Sequence, residues 1–200
     1  MNFDTSILSA QEKYRLLNGG VTPRPIAWIS TRSKAGIDNL APYSFFTVAS
    51  CNPPVLLYTQ VTQRSGIDKD TLQNLRETGE CVVNIVNSDL LEKMNLTSAS
   101  IDINESEFEL AQVEHSPSYK VSSMSVTGSP IRYECTLREE ISVSNLPAGG
   151  TLVLLDVKSI YVRDELYSDK GINQERIDSV GKMGGDGYSP TKNYVELNRP

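Results

Sequence analysis

The stretch "NLAPYSFFTVASCNPPVLLYT", residues 39–59, decides how this chain is read. Its later part places apolar and β-branched residues on both sides of Cys51-Asn52-Pro53-Pro54, the pattern of two strands joined by a tight turn. The first part is less ordinary. Small Ala41 and constrained Pro42 let backbone amides approach the edge of a flat ring, and Asn39 and Ser44 can hydrogen-bond its heteroatoms. Two readings therefore stand side by side, a plain barrel wall and the wall of a pocket for a planar aromatic ligand. Tyr43, Phe45 and Phe46 divide between core and partner surface, since alternate side chains of a strand face opposite ways.

Working outward, apolar runs recur at "PIAWIS" (25–30), "CVVNIV" (81–86), "IRYECTL" (131–137) and "TLVLLDVKSIYV" (151–162). They are rich in β-branched and aromatic residues, and no long alternation of strand and helix appears, so a mainly antiparallel barrel is expected. Two segments read as helices. In "DKDTLQNLRETGE" Leu72 and Leu75 share a face and Gly79 supplies a stop; in "SDLLEKMNLTSA" Ser88 or Asp89 can cap a turn carrying Leu90, Leu91, Met94 and Leu96. Residues 98–123 read as a long loop with short helical turns, and with no linker or repeat in view residues 1–200 are taken as one domain.

Composition excludes several classes. Hydrophobic residues at 38% and charged residues at 22% describe an ordinary globular chain, without an apolar run able to cross a bilayer. A net charge of −6 with dispersed basic residues opposes nucleic-acid binding while permitting a local anion pocket. The N-terminal "MNFDTSILSAQEKYR" lacks a secretory pattern, and the expected location is the cytoplasm. Cys51, Cys81 and Cys135 are too far apart in sequence for a metal knuckle and are expected as small buried side chains. The single histidine, His115, lies in a polar loop and reads as a surface residue; with it goes any histidine-dependent hydrolase.

The best anion site is "TQRSGIDKDTLQN" (62–74). Arg64 and Lys69 bring charge, Ser65 and Thr71 bring hydroxyls, and the first amides of the following helix point outward. Asp68 and Asp70 would repel a phosphate and are assigned to capping the helix or orienting Lys69 and Arg64. A capped surface helix with solvated charges accounts for the same spacing. Trp28 with Ser30 and Thr31 reads as a strand with an aromatic core residue and polar edge groups, and "GKMGGDG" (181–187) as a turn near the C-terminus folded over a pocket.

Together "TPRPIAWIST" (22–31), "NLAPYSFF" (39–46), "NPPVLLY" (52–58), "KDTLQN" (69–74), "CVVNIV" (81–86), "SEFELA" (106–111), "SPIRYECTL" (129–137) and "GKMGGDGY" (181–188) resemble the flavin reductase-like family of FMN-binding split-barrel proteins, in particular its flavoredoxin-type branch. The resemblance implies a mainly β, Greek-key split β-barrel with a few short helices, forming a homodimer with FMN near the interface. It implies that Trp28, Ser30, Thr31, Asn39, Leu40, Ala41, Pro42 and Ser44 surround the flavin. Arg64, Lys69, Asp70 and Thr71 would lie at its phosphate end, with Gly184, Gly185 and Tyr188 closing over it. The implied activity is an oxidoreductase carrying electrons from NAD(P)H through FMN to free flavin or another small acceptor. A flavin-binding electron carrier without turnover is the alternative. Two departures bear on that choice: relatives carry a His where this chain has Gly150-Thr151, and an Arg where it has Lys182, which lacks the planar two-pronged donor.

Overall fold

The structure, a computed structural model, describes residues 1–62 and 68–198. It opens with a helix, α1 (Ala10–Gly20), started by a capping box in which Ser9 Oγ accepts from the Glu12 amide and the Glu12 side chain accepts from the Ser9 amide. This helix is not among the elements expected from the sequence, although its Ser-x-x-Glu signature is legible there. Strands β1 (Ala27–Arg32), β2 (Asp38–Tyr43), β3 (Phe46–Cys51) and β4 (Pro54–Val61) follow, then α2 (Asp70–Thr78) and β5 (Glu80–Ile85). Short helices α3 (Leu91–Leu96) and α4 (Glu107–Leu110) interrupt the long connection to β6 (Ile131–Ser142) and β7 (Gly150–Val162), and a small hairpin, β8 (Val180–Lys182) with β9 (Tyr188–Pro190), comes near the end. No helix among the described residues is long and apolar enough to cross a membrane.

Seven strands form one antiparallel sheet in the order β2-β1-β5-β6-β7-β4-β3. Consecutive β4 and β5 are separated by β6 and β7, the crossing that makes the topology a Greek key rather than a meander. The sheet rolls until β2 meets β4, where the Tyr43 and Tyr58 rings pack 4.8 Å apart. Register shifts at Leu154/Leu155 and Val157/Ser159 let the long β6–β7 pair bend around this roll. The result is the split β-barrel.

Register explains why "PIAWIS" has no polar alternation. Ile29 stands opposite Ala41, and these turn with Ala27 and Tyr43 into the barrel, against Leu72 and Leu75 of α2. Trp28 and Leu40 turn the other way, onto Val86, Met94 of α3 and Phe108 of α4. Both faces of β1 and β2 are thus covered where these residues pair, so Ala27–Ile29 and Leu40–Pro42 show no polar alternation.

Several local expectations need correction. Asp68 does not cap α2: its carboxylate pairs with Arg76 at 2.6 Å and accepts from Gln60. Lys69 occupies the N-cap position without a side-chain cap bond, and Asp70 is the first helical residue. Neither Ser88 nor Asp89 caps α3; both belong to a 3-10 turn, Ser88–Leu90, that precedes it. Cys81 and Cys135 are buried opposite each other on β5 and β6, but Cys51 is exposed on β3, where its side of the sheet is uncovered. His115 is exposed, as expected.

Gly79 ends α2 with φ at +75°, and its amide donates to Leu75 O at 2.8 Å. A Cβ there would meet nothing within 4 Å, so the penalty of Gly79→Ala comes from the left-handed backbone alone. Urea denaturation is expected to give a loss of about 1 kcal/mol. An unchanged midpoint would contradict this account of the cap.

Candidate functional site

Strand β2 is an outer strand of the sheet, so one row of its backbone groups faces away from β1. The entry to α4 meets that row. Ser106 Oγ donates to Asp38 O at 2.6 Å, and the Leu40 amide donates to Glu107 Oε2 at 2.9 Å. Glu107, 5% exposed, also accepts from Asn39 Nδ2 with both oxygens, at 3.0 and 2.9 Å. Asn39 Oδ1 in turn accepts from Thr71 at 2.8 Å and Thr31 at 3.3 Å, and Thr31 accepts from Asn74 at 3.2 Å. A buried polar chain therefore ties β1, β2, α2 and α4 together.

On the solvent side of this chain lies a cleft of about 220 Å³, lined by Asn39, Ala41, Asp68, Lys69, Asp70, Thr71, the 97–101 loop and Glu107. Burial pushes the Lys69 ammonium down from its ordinary pKa, opposed by the charges of Glu107 and Asp70. The same desolvation pushes Glu107 up, opposed chiefly by the Leu40 amide. Asp70 is raised by burial and by Asp102, against the pull of Lys69.

A second cleft, of about 370 Å³, adjoins the first at Ser98 and is lined by Ile26, Pro42, Ser44, Met94, Asn95, Lys182, Gly185, Asp186 and Tyr188. The β8–β9 hairpin forms its far wall. Lys182 Nζ donates to Gly185 O and Gly187 O, sits 4.3 Å from the Tyr188 ring centroid, and Tyr188 Oη donates to Asn95 Oδ1 at 2.8 Å. The guanidinium of Arg24 holds the back of the turn by donating to Met183 O, as well as to Asn18 O and Val21 O at the end of α1.

Of the residues singled out in the sequence, Asn39, Ala41, Lys69, Asp70 and Thr71 line the first cleft, and Pro42, Ser44 and Tyr188 the second. Gly185, at φ +57°, lines the second cleft, while Gly184 stands beside it in the turn. Arg64 lies outside the described residues. The side chains of Trp28, Ser30, Thr31 and Leu40 stand behind the wall instead of on it. Trp28 is fully buried and donates to Thr97 Oγ1 at 2.8 Å; Ser30 donates to Met124 O; Thr31 serves the chain just described; Leu40 is core. Thr71 lines the first cleft, with its hydroxyl proton directed inward to Asn39. The 97–101 loop and the role of Glu107 were not foreseen from the sequence; the polar Ser106-Glu107 pair just ahead of Phe108 was the available signal for Glu107.

The donor set at the first cleft suits a phosphate: an ammonium, the hydroxyls of Ser98 and Ser100, and the first amides of a nine-residue helix whose N-cap side chain leaves them uncapped. Pro42, Ser44 and Ser98 are small, and leave space for a flat group across the second.

Known proteins share this fold. The flavin reductase like domain family matches residues 19–176. An uncharacterized protein of Halalkalibacterium halodurans is 37% identical over 100% of this chain and 97% of its own. Among solved structures, nitrilotriacetate monooxygenase component B from Bacillus cereus superposes with a TM-score of 0.93 at 31% identity, covering 98% of each chain. The 2-nitrobenzoate 2-nitroreductase of Pseudomonas fluorescens gives 0.90 at 30% identity, over 100% of this chain and 96% of that one. Flavoredoxin of Desulfovibrio vulgaris shares the fold, with a TM-score of 0.76 at 14% identity over 98% and 97% of the two chains. Matched over most of its length by the domain and over all of it by a close relative, this chain belongs to the flavin reductase like family.

Proposed function

We propose that the protein binds FMN along the two adjoining clefts and works as an NAD(P)H-dependent flavin oxidoreductase. The observation that carries this reading is the polarity of the groove: a polar end with the Lys69 ammonium and the uncapped amides that start α2, and a shallow wall of small residues at Ala41, Pro42 and Ser44. When bound, FMN supplies the two-electron chemistry between a nicotinamide donor and an acceptor such as free flavin. The chain's own residues bind and orient. Lys69 and the α2 amides hold the phosphate, Asn39, Ala41, Pro42 and Ser44 border the ring system, and Tyr188 with the Gly184-Gly185 turn closes the far side. Asp70, beside Lys69, orients the ammonium without touching the anion. No side-chain acid or base is needed, and the wall's work is placement.

A homodimer is part of the same proposal. Val48, Val143, Leu146 and Ile160 are each more than half exposed, on or next to β3, β6 and β7, and large apolar side chains left outward on strands favour a partner surface. The second reading, an electron carrier without nicotinamide turnover, is favoured by one feature: Gly150 and Thr151, where relatives carry His, begin β7 beside Val61 and Gln60 and offer no ring to a donor.

The protein purified with FMN is expected to be yellow, and anaerobic NADH or NADPH is expected to bleach it within seconds. Retention of the oxidised spectrum with both donors would select the carrier. Lys69→Ala is expected to weaken FMN by about 10- to 100-fold, the loss of one charge-assisted phosphate bond, while leaving riboflavin affinity unchanged. Equal losses for the two ligands would remove Lys69 from the phosphate end. Sedimentation is expected to find a dimer at micromolar concentration, and a monomer there would reject the shared surface.

A further inference from the structure

Glu107 presents a physical puzzle. It is a buried carboxylate on a four-residue helix, with no cation within 4 Å among the described residues. A buried unpaired charge is costly, and an amide of the same shape would be cheaper if its only task were to fill space. What an amide cannot do is accept at both heads. Asn39 Nδ2 donates to both Glu107 oxygens, and the Leu40 amide donates to one of them. Only an acceptor-only group answers all three contacts.

The consequence runs through the chain. With Asn39 Nδ2 committed to Glu107, Oδ1 must face Thr71 and Thr31, and the Thr71 hydroxyl must donate inward. Thr71 is the second residue of α2, immediately after Asp70 and two places from Lys69. Asn39 and Leu40 lead directly into Ala41 and Pro42. Glu107 therefore sets the start of α2 against strand β2, which are the two ends of the groove.

We propose that Glu107 is a positioning residue that fixes the spacing between the phosphate end and the ring wall, and so selects the phosphorylated flavin over one without phosphate. This rests on the flavin reading above. In Glu107→Gln an NH₂ group replaces one oxygen and confronts Asn39 Nδ2, donor against donor, so the chain reorients and the two ends lose register. The double variant Glu107→Gln with Asn39→Asp restores the pattern: the new amide donates to the new carboxylate, which still accepts from Thr71, while the amide oxygen accepts from Leu40.

The test uses the full chain, with FMN and riboflavin titrated by flavin fluorescence and unfolding followed by circular dichroism. Wild type is expected to prefer FMN; Glu107→Gln is expected to cut that preference by about tenfold or more, and the double variant to recover it to within about threefold. A purely structural role would lower stability and weaken both ligands alike. Proportional losses, an unchanged preference in Glu107→Gln, or a double variant no better than the single one overturns the inference. If Glu107→Gln does not fold, a folded double variant with wild-type preference supports the proposal, and one without it overturns it. Wild type that binds neither ligand fails differently, since it removes the flavin reading itself.

Discussion

The constraint on which the rest depends is the outward row of backbone groups on β2. An outer strand with free amides and carbonyls invites pairing with another chain, and proteins cover or interrupt such rows. Here Pro42 supplies no amide, Ser106 takes the Asp38 carbonyl, and Glu107 takes the Leu40 amide. The long connection between β5 and β6 is therefore tied to this strand. It brings α4 against Trp28 and Leu40, and it draws the 97–101 loop over the groove, where Thr97 receives the Trp28 indole. The floor of the clefts and part of their rim follow from satisfying one strand.

The fold was largely legible because its signals are local. Strands such as "CVVNIV" and "TLVLLDVKSIYV" carry their own β-branched density, and Gly79 stops α2 where the apolar spacing of Leu72 and Leu75 ends. What local signals cannot show is which side chain meets which across the sheet. Asn39 looked like a ring-facing donor, and it lines the cleft, but its amide is committed to residues 31, 71 and 107. Thr71 looked like a phosphate donor for the same reason, since a hydroxyl at a helix start fits that role and nothing in the sequence places an acceptor behind it. Cys51 was misjudged because burial of a strand end depends on what covers the sheet there.

Electrostatics refine the picture of an acidic chain expected to hold an anion. Net charge governs long-range attraction, whereas a bound phosphate responds to the few groups within reach. Asp68, the carboxylate that would oppose it most directly, is neutralised by Arg76, which also binds Glu140. Glu107 is turned toward its three donor contacts. Asp70 remains beside Lys69, its carboxyl raised by burial and by Asp102 and lowered by Lys69.

Among the described residues, three cations stand around the groove, and they are not equivalent. Arg24 spends its guanidinium on the carbonyls of Asn18, Val21 and Met183, and Lys182 spends its ammonium on Gly185 and Gly187 beneath the Tyr188 ring. Both act as clamps on the turn between β8 and β9, and their charge is shared among peptide dipoles. Desolvation lowers the Lys182 pKa further, with Arg24 adding to it against the pull of Asp186. Lys69 is placed otherwise: its ammonium lies 5.3 Å from the Tyr43 ring centroid, at the uncapped start of a helix. In the turn itself, Lys182 fits its ammonium between two carbonyls. Among the described residues, the positive charge not committed to backbone carbonyls thus stands at the α2 end of the groove.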